Sequence, residues 1–520
     1  MRFRLETLCA TMAAALLGLS VLAHADSLTV KTAQGAAHGK TINDGKVKAW
    51  LGLPYAAPPT GDLRWKAPEP AAKWTGERDA TKYAAHCAQN HVFDDMVFQD
   101  DGPSEDCLYL NVYAPATASA KSKLPVMFWI HGGGFSGGGS NEPRHNGDFL
   151  PLKGVVLVTI NYRLGVFGFL ATSDLAKEAG GSAGNYGFMD MVAALEWVKA
   201  NIKEFGGDPG NVTIFGESAG SFAVSTLMAA PSAKGLFQKA IGESGGAIGR
   251  GALNYDALAD RVKKDDKWAA SLNVATLAEL RALSMADILK AAKPGVNFPP
   301  NVDGKFLTEG VDAIYAAGHQ AQIPLLAGWN ADEGSFFAMR GMTAAQWAET
   351  AKAQFKDKSD DFLKLYPGST DAEALRSAID FGSDQFIALG TWRWLEAHRK
   401  TGNSPVYRYH FELAATPSKF HPGTFAFHSD DIEYVFGTLD TRPGWNVRPE
   451  DRALSEAMMT YWTNFAKKGD PNGGGVPAWP KYNDMGYPLI HLNTTITSGP
   501  DTLRPRDEFL EANPPAPMPR

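Results

Sequence analysis

The sequence predicts an α/β fold, on three observations. Six runs of strand character recur along the chain: PVMFWI (125–130), VVLVTINY (155–162), NVTIF (211–215), LFQKAI (236–241), PLLAGW (324–329) and VYRYHFEL (406–413). Their apolar, β-branched and aromatic residues suit buried strands. Helical stretches fall between them, among them SDLAKEA (173–179) and AGSFAVSTLMAA (219–230). The 520 residues, 44% hydrophobic and 21% charged, are enough to bury a large core. No low-complexity linker, long charge run or internal repeat divides them, so residues 26–520 are expected to form one domain with long insertions.

The first element is separate from that domain. Residues 1–25, MRFRLETLCATMAAALLGLSVLAHA, combine a basic start at Arg2 and Arg4, an apolar run from Met12 to Leu22 and a small-x-small site at Ala23-His24-Ala25. This is the pattern of a secretory signal peptide cleaved near Ala25, which predicts export to the periplasm or the medium. The run is short for a membrane span, and no later segment is apolar enough for one. Removing the segment takes away Arg2, Arg4 and Glu6, moving the formal net charge from −7 to −8. A mildly acidic surface argues against nucleic acid or anionic lipid as a partner. The chain that remains keeps Cys87 and Cys107, which can pair in an oxidising compartment.

The next elements can be tested for chemistry, because G-x-S-x-G occurs four times. A nucleophilic serine must project from a sharp turn between a strand and a helix, where the helix N-terminus offers N–H groups to a developing oxyanion. PVMFWI ends in HGGGF (131–135), and three successive glycines let a backbone approach a substrate with its N–H groups available. The GFSGG that overlaps it runs on into loop, which disqualifies Ser136. GGSAG (180–184) follows a helix instead of a strand, which disqualifies Ser182. NVTIF passes through GESAG (216–220) directly into AGSFAVSTLMAA, so Ser218 alone has strand, turn and helix in order. LFQKAI leads into GESGG (242–246), but Gly245, Gly246, Gly249 and Gly251 prevent an immediate helix after Ser244.

A nucleophilic serine needs a base and a carboxylate that orients it. PLLAGW stops at NADEGSFF, which offers Asp332 and Glu333; spacing does not choose between them. Six histidines follow Ser218, and the loop after VYRYHFEL carries two of them, His421 and His428. His319 and His398 sit in helical stretches, His410 inside a strand and His491 in a late apolar run. Phe336 and Phe337, just past Glu333, are candidates for the wall of a substrate pocket. No HExxH, Cys-His cluster or phosphate-binding loop appears, so no metal and no cofactor is inferred.

The motifs SEDCLYLNVYAP (104–115), HGGGF, NYRLGVFGFL (161–170), NYGFMDMVAALEWVKANIKEFGGDP (185–209), VTIFGESAG, NADEGSFF, HSDDIEYVFG (428–437) and YWTNFAKKGDPN (461–472) resemble, in order, those of the type-B carboxylesterases. The resemblance covers nearly all of residues 28–500. It implies the α/β-hydrolase fold, a large and mostly parallel sheet flanked by helices with the site at the strand C-terminal ends. It also implies a Ser218–Glu333–His428 triad, oxyanion donors at the N–H groups of Gly133, Gly134 and Ala219, and a disulfide between Cys87 and Cys107. Ser244, Asp431 and Glu217 are implied as supports of the triad, with Ser244 hydrogen-bonded toward Asp431. The activity implied is hydrolysis of small carboxylic esters, neutral or apolar, through an acyl-enzyme. Adhesion modules that keep the fold without the serine, and acyl transfer to an alcohol, are the alternatives. Between the two cysteines the sequence has no tryptophan, which the cholinesterase branch uses to hold quaternary ammonium, so a choline preference is not expected.

Overall fold

The alternation of strand and helix closes into one large sheet. The computed structural model describes residues 28–249, 255–293, 295–336 and 341–515. The expected signal segment and Phe337 lie outside them. In chain order the strands of the main sheet are β1 (Lys40–Ile42), β2 (Val47–Pro54), β3 (Tyr109–Pro115), β4 (Leu124–Ile130), β5 (Val156–Ile160) and β6 (Gly207–Glu217). They continue as β7 (Lys239–Glu243), β8 (Leu325–Asn330), β9 (Val406–Phe411), β10 (Pro488–Leu492) and β11 (Thr497–Pro500). Across the sheet the order is β11-β10-β9-β8-β7-β6-β4-β5-β3-β2-β1. From β5 through β10 every neighbouring pair is parallel, and antiparallel strands finish both edges. Each of the six runs read as strands in the sequence contributes one of these parallel strands.

The period-2 geometry of a strand explains why these runs are apolar throughout instead of alternating with polar residues. Along β4, Val126, Phe128 and Ile130 point into one core, shared with α1 (Tyr186–Asn201), α2 (Ala219–Ala229) and α3 (Leu389–Thr401). Met127 and Trp129 point the other way, into a core shared with α4 (Pro449–Lys468). Helices therefore cover both faces, and solvent reaches the parallel strands only past their ends. Among the described residues no helix is long and apolar enough to cross a membrane.

The strand order places the site. The chain leaves β4 for β5 on one side and then reaches β6 on the other, so β4 and β6 become neighbours, with Ile130 in register with Gly216. Such a reversal opens a crevice at the strand C-terminal ends. HGGGF follows β4 and GESAG ends β6, so both motifs face that crevice.

Candidate active site

The turn after β6 is strained, and its glycines permit the strain. Ser218 sits at φ 52° and ψ −120°, a backbone conformation that L-residues rarely adopt and that costs about 1–3 kcal/mol. A Cβ on Gly220 would stand 2.0 Å from the carbonyl oxygen of Ile130, and one on Gly216 would stand 2.6 Å from the same atom. Both positions of the motif thus require glycine because the turn is pressed against the end of β4. The Ser218 N–H donates to Glu243 O at 2.9 Å, fixing the turn to β7, and α2 begins at the next residue.

HGGGF lies directly against this turn. A Cβ on Gly132 would lie 3.2 Å from Ser218 Cβ, and one on Gly133 would meet Gly137 O at 2.2 Å. Gly133 and Gly134 have φ of 98° and 62°, which glycine adopts without penalty. Among the described residues their N–H groups have no protein acceptor. The Ala219 N–H is one of the donors that the first turn of a helix leaves without an intrahelical partner. His131 anchors the loop: its carbonyl accepts from Tyr162 Oη at 2.7 Å, and burial lowers its imidazole to about 4, leaving the ring neutral.

The loops after β8 and β9 complete the arrangement. His428 Nε2 lies 2.9 Å from Ser218 Oγ, and His428 Nδ1 lies 2.5 Å from Glu333 Oε2. The other oxygen of Glu333 accepts from Ser244 Oγ at 2.6 Å and from the Asn330 N–H at 2.9 Å. Between Asp332 and Glu333, which spacing left open, the structure puts Glu333 against the imidazole. Asp332 instead binds the histidine-bearing loop. Its carboxylate accepts from the Ala426 N–H at 2.9 Å and from Arg376 Nη1 at 2.5 Å, and its own N–H donates to Ala426 O.

Ser182 donates to Asp303 at 2.7 Å, and Ser136 bonds within its own loop. Ser244 departs from one expectation: its hydroxyl goes to Glu333, not toward Asp431. Asp431 is occupied from other directions, accepting from Tyr409 Oη at 2.8 Å and Asn330 Nδ2 at 3.1 Å. The reason is topological, since Ser244 follows β7 directly and its N–H donates to Gly328 O on β8, the strand that leads to Glu333. His421 stacks on Phe427 and faces Asp95, and His398 bonds Ile323 O. His410 and His491 share Glu412, while His319 lies after the helix Val311–Ala316.

The electrostatics of the site depend on buried carboxyls. Glu217 is buried, its Oε1 stands 3.3 Å from His428 Nε2, and that oxygen has no hydrogen-bond partner among the described residues. Burial raises the Glu217 carboxyl well above its ordinary range. Burial alone would lower His428, but the charges of Glu217 and Glu333 outweigh it and raise the imidazole. Beneath them burial likewise raises Glu243 and Asp431, as expected where several carboxyls share one low-dielectric site.

An apolar wall begins at the imidazole. Phe386 meets His428 edge-on at 5.0 Å, and Phe336, half exposed, meets Phe386 at 5.4 Å. Phe386 is not legible in the sequence, because nothing near residue 386 signals that its helix passes the site. A cleft of about 880 Å³ opens beside Gly133 and Gly134, with Phe93, Val166 and Phe298 in its walls. Cys87 and Cys107 are joined, tethering the segment that supplies Phe93.

Comparison with known proteins agrees with this fold. Residues 26–509 match the model of the carboxylesterase family. The chain is 37% identical to the para-nitrobenzyl esterase of Bacillus subtilis, over 90% of this chain and 95% of that one. It is 36% identical to the fumonisin B1 esterase of Sphingopyxis macrogoltabida, over 90% and 87% of the two chains. Among solved structures, a Geobacillus stearothermophilus carboxylesterase superposes with a TM-score of 0.80 at 32% identity, covering 93% of this chain and 99% of that one.

Proposed function

The chain belongs to the carboxylesterase family and is a carboxylic ester hydrolase, and from that premise we propose that Ser218, His428 and Glu333 carry out the reaction. The observation that carries the proposal is the continuous line from Ser218 Oγ through both nitrogens of His428 to Glu333. His428 Nε2 takes the hydroxyl proton as Ser218 Oγ attacks the ester carbonyl. The N–H groups of Gly133, Gly134 and Ala219 receive the resulting oxyanion. The imidazolium returns the proton to the departing alcohol, leaving an acyl-serine. Water, deprotonated by the same nitrogen, then cleaves that ester and releases the acid. Glu333 keeps a proton on Nδ1, so that Nε2 is the atom that accepts. Ser244 and the Asn330 N–H orient Glu333 in turn.

The substrates we propose are neutral or apolar esters, received against Phe386 and Phe336. The N-terminal 25 residues direct export and are removed near Ala25. Site-directed variants test the assignment on p-nitrophenyl butyrate. Ser218→Ala is expected to abolish hydrolysis, whereas Ser244→Ala, which removes one bond to Glu333, retains a folded enzyme at a rate reduced by about tenfold. Equal and total loss in both, with unchanged circular dichroism, contradicts the assignment.

A further inference from the structure

The edge of the sheet carries a second cluster of reactive groups, apart from the triad. His410 on β9 is in register with His491 on β10. Glu412 follows β9 two residues after His410, so strand geometry turns its side chain to the same face. The Glu412 N–H donates to Leu492 O at 2.8 Å, which carries the strand pairing through this position. The three side chains converge on one point. Glu412 Oε1 lies 2.8 Å from His410 Nδ1 and 2.5 Å from His491 Nδ1, and the three ligand atoms all lie within 4.8 Å of one another.

We propose that His410, Glu412 and His491 form a binding site for a divalent transition-metal ion of the zinc type, held by two imidazole nitrogens and one carboxylate oxygen. Two imidazoles and a carboxylate are a donor set that suits Zn²⁺, with a water completing four-coordination. Bonds of about 2.0–2.2 Å around a tetrahedral ion separate ligand atoms by roughly 3.3–3.5 Å. The present separations of 2.5 and 2.8 Å are spanned by hydrogens, so the ion requires an opening of less than about 1 Å. On binding, each Nδ1 gives up the hydrogen it donates to Glu412, and the ring proton rests on Nε2.

A further feature suits an ion: the site is reachable, because Glu412 and His491 face an open cleft whose rim is Asn493, Thr494, Thr495 and Thr497, all oxygen-bearing side chains. The ion would tie β9 to β10 where the loop bearing His428 begins, bracing the sheet edge without touching the triad. The sequence gives no sign of this site, because His410 and His491 are far apart in the chain and only strand pairing joins them.

The test uses the tag-free chain stripped with EDTA and titrated with Zn²⁺ in a calorimeter, with Co²⁺ as a spectroscopic stand-in. One saturable equivalent of Zn²⁺, a raised Tm and the visible absorption of tetrahedral Co²⁺ are expected. Glu412→Gln and His491→Asn should hydrolyse p-nitrophenyl butyrate at the wild-type rate, lose the Co²⁺ band and weaken Zn²⁺ binding by at least about tenfold. His428→Gln, which removes the triad imidazole as a competing ligand, should keep the equivalent. Absence of the Co²⁺ band from the unaltered chain overturns the proposal without any variant, and so does full retention of the Zn²⁺ equivalent in both ligand variants.

Discussion

Replacing Glu217 by Gln should move the acid limb of the rate profile to lower pH. Glu217 Oε1 stands 3.3 Å from His428 Nε2. At that separation a unit charge pair is worth about 1.3 kcal/mol in water and about 5 kcal/mol at an effective dielectric of 20. These figures bracket a shift of roughly one to four pKa units on the imidazole. Two features bring the value toward the lower end: the His428 side chain is 24% exposed, and burial keeps part of the Glu217 population neutral. A downward shift of about one to two units is therefore expected in Glu217→Gln.

The sign follows from the proposed role of His428 as base. The imidazole must be neutral to accept a proton, so kcat/KM rises with pH through its apparent pKa, which in the wild type lies above the ordinary 6.5 or so. Because the two groups titrate as a pair, that apparent value belongs to both. Glutamine keeps the shape and removes the charge, so the limb moves down while the plateau falls by up to about tenfold, the imidazolium of the transition state having lost a counter-charge. The assay is kcat/KM for p-nitrophenyl butyrate between pH 5 and 9, with circular dichroism as a check on the fold. A limb that stays in place, or moves to higher pH, refutes the coupling of Glu217 to His428.

Two other perturbations have defined outcomes. Asp332→Ala removes the acceptor of the buried Ala426 N–H and one of the two carboxylate partners of Arg376, so thermal unfolding should show a loss of about 1–3 kcal/mol and kcat should fall more than KM changes. Asp332→Asn, which still accepts from Ala426, should recover most of the kcat. A choline ester should gain no preference: Phe98 is stacked on His86, and Asp94, Asp95 and Asp100 are engaged by His91, Arg144 and His86, leaving Phe93 in the cleft wall. A tryptophan face in that position is worth about 0.5–2 kcal/mol, or up to roughly thirtyfold. The ratio of kcat/KM for butyrylcholine to its neutral isostere 3,3-dimethylbutyl butyrate is accordingly expected below about tenfold.

How far the sequence reaches depends on whether a feature is local. GESAG is separable from the other three matches because strand, turn and helix are neighbours in the chain, and the same locality makes six of the seven strands in the parallel run readable. The pairing of Glu333 with His428 spans 95 residues and that of His428 with Ser218 spans 210, so residue spacing left Asp332 and His421 open as alternatives. The role of Asp332 in holding Ala426, the Phe386 wall and the direction of the Ser244 hydroxyl all depend on which loops β7, β8 and β9 bring side by side. The raised pKa of Glu217 is of the same kind. A glutamate next to a serine looks ordinary in the sequence, and only burial against β7 and His428 makes its charge costly.

The central claim is that Ser218 becomes covalently acylated. It is tested most directly with diethyl p-nitrophenyl phosphate, which traps an activated serine as a stable phosphoester and releases nitrophenol. Intact-mass spectrometry should show one diethylphosphoryl group per chain, peptide mapping should place it on Ser218 between Glu217 and Ala219, and Ser218→Ala should remain unlabelled. A stoichiometric adduct on Ser244 or Ser136, or full labelling of Ser218→Ala, would contradict the claim.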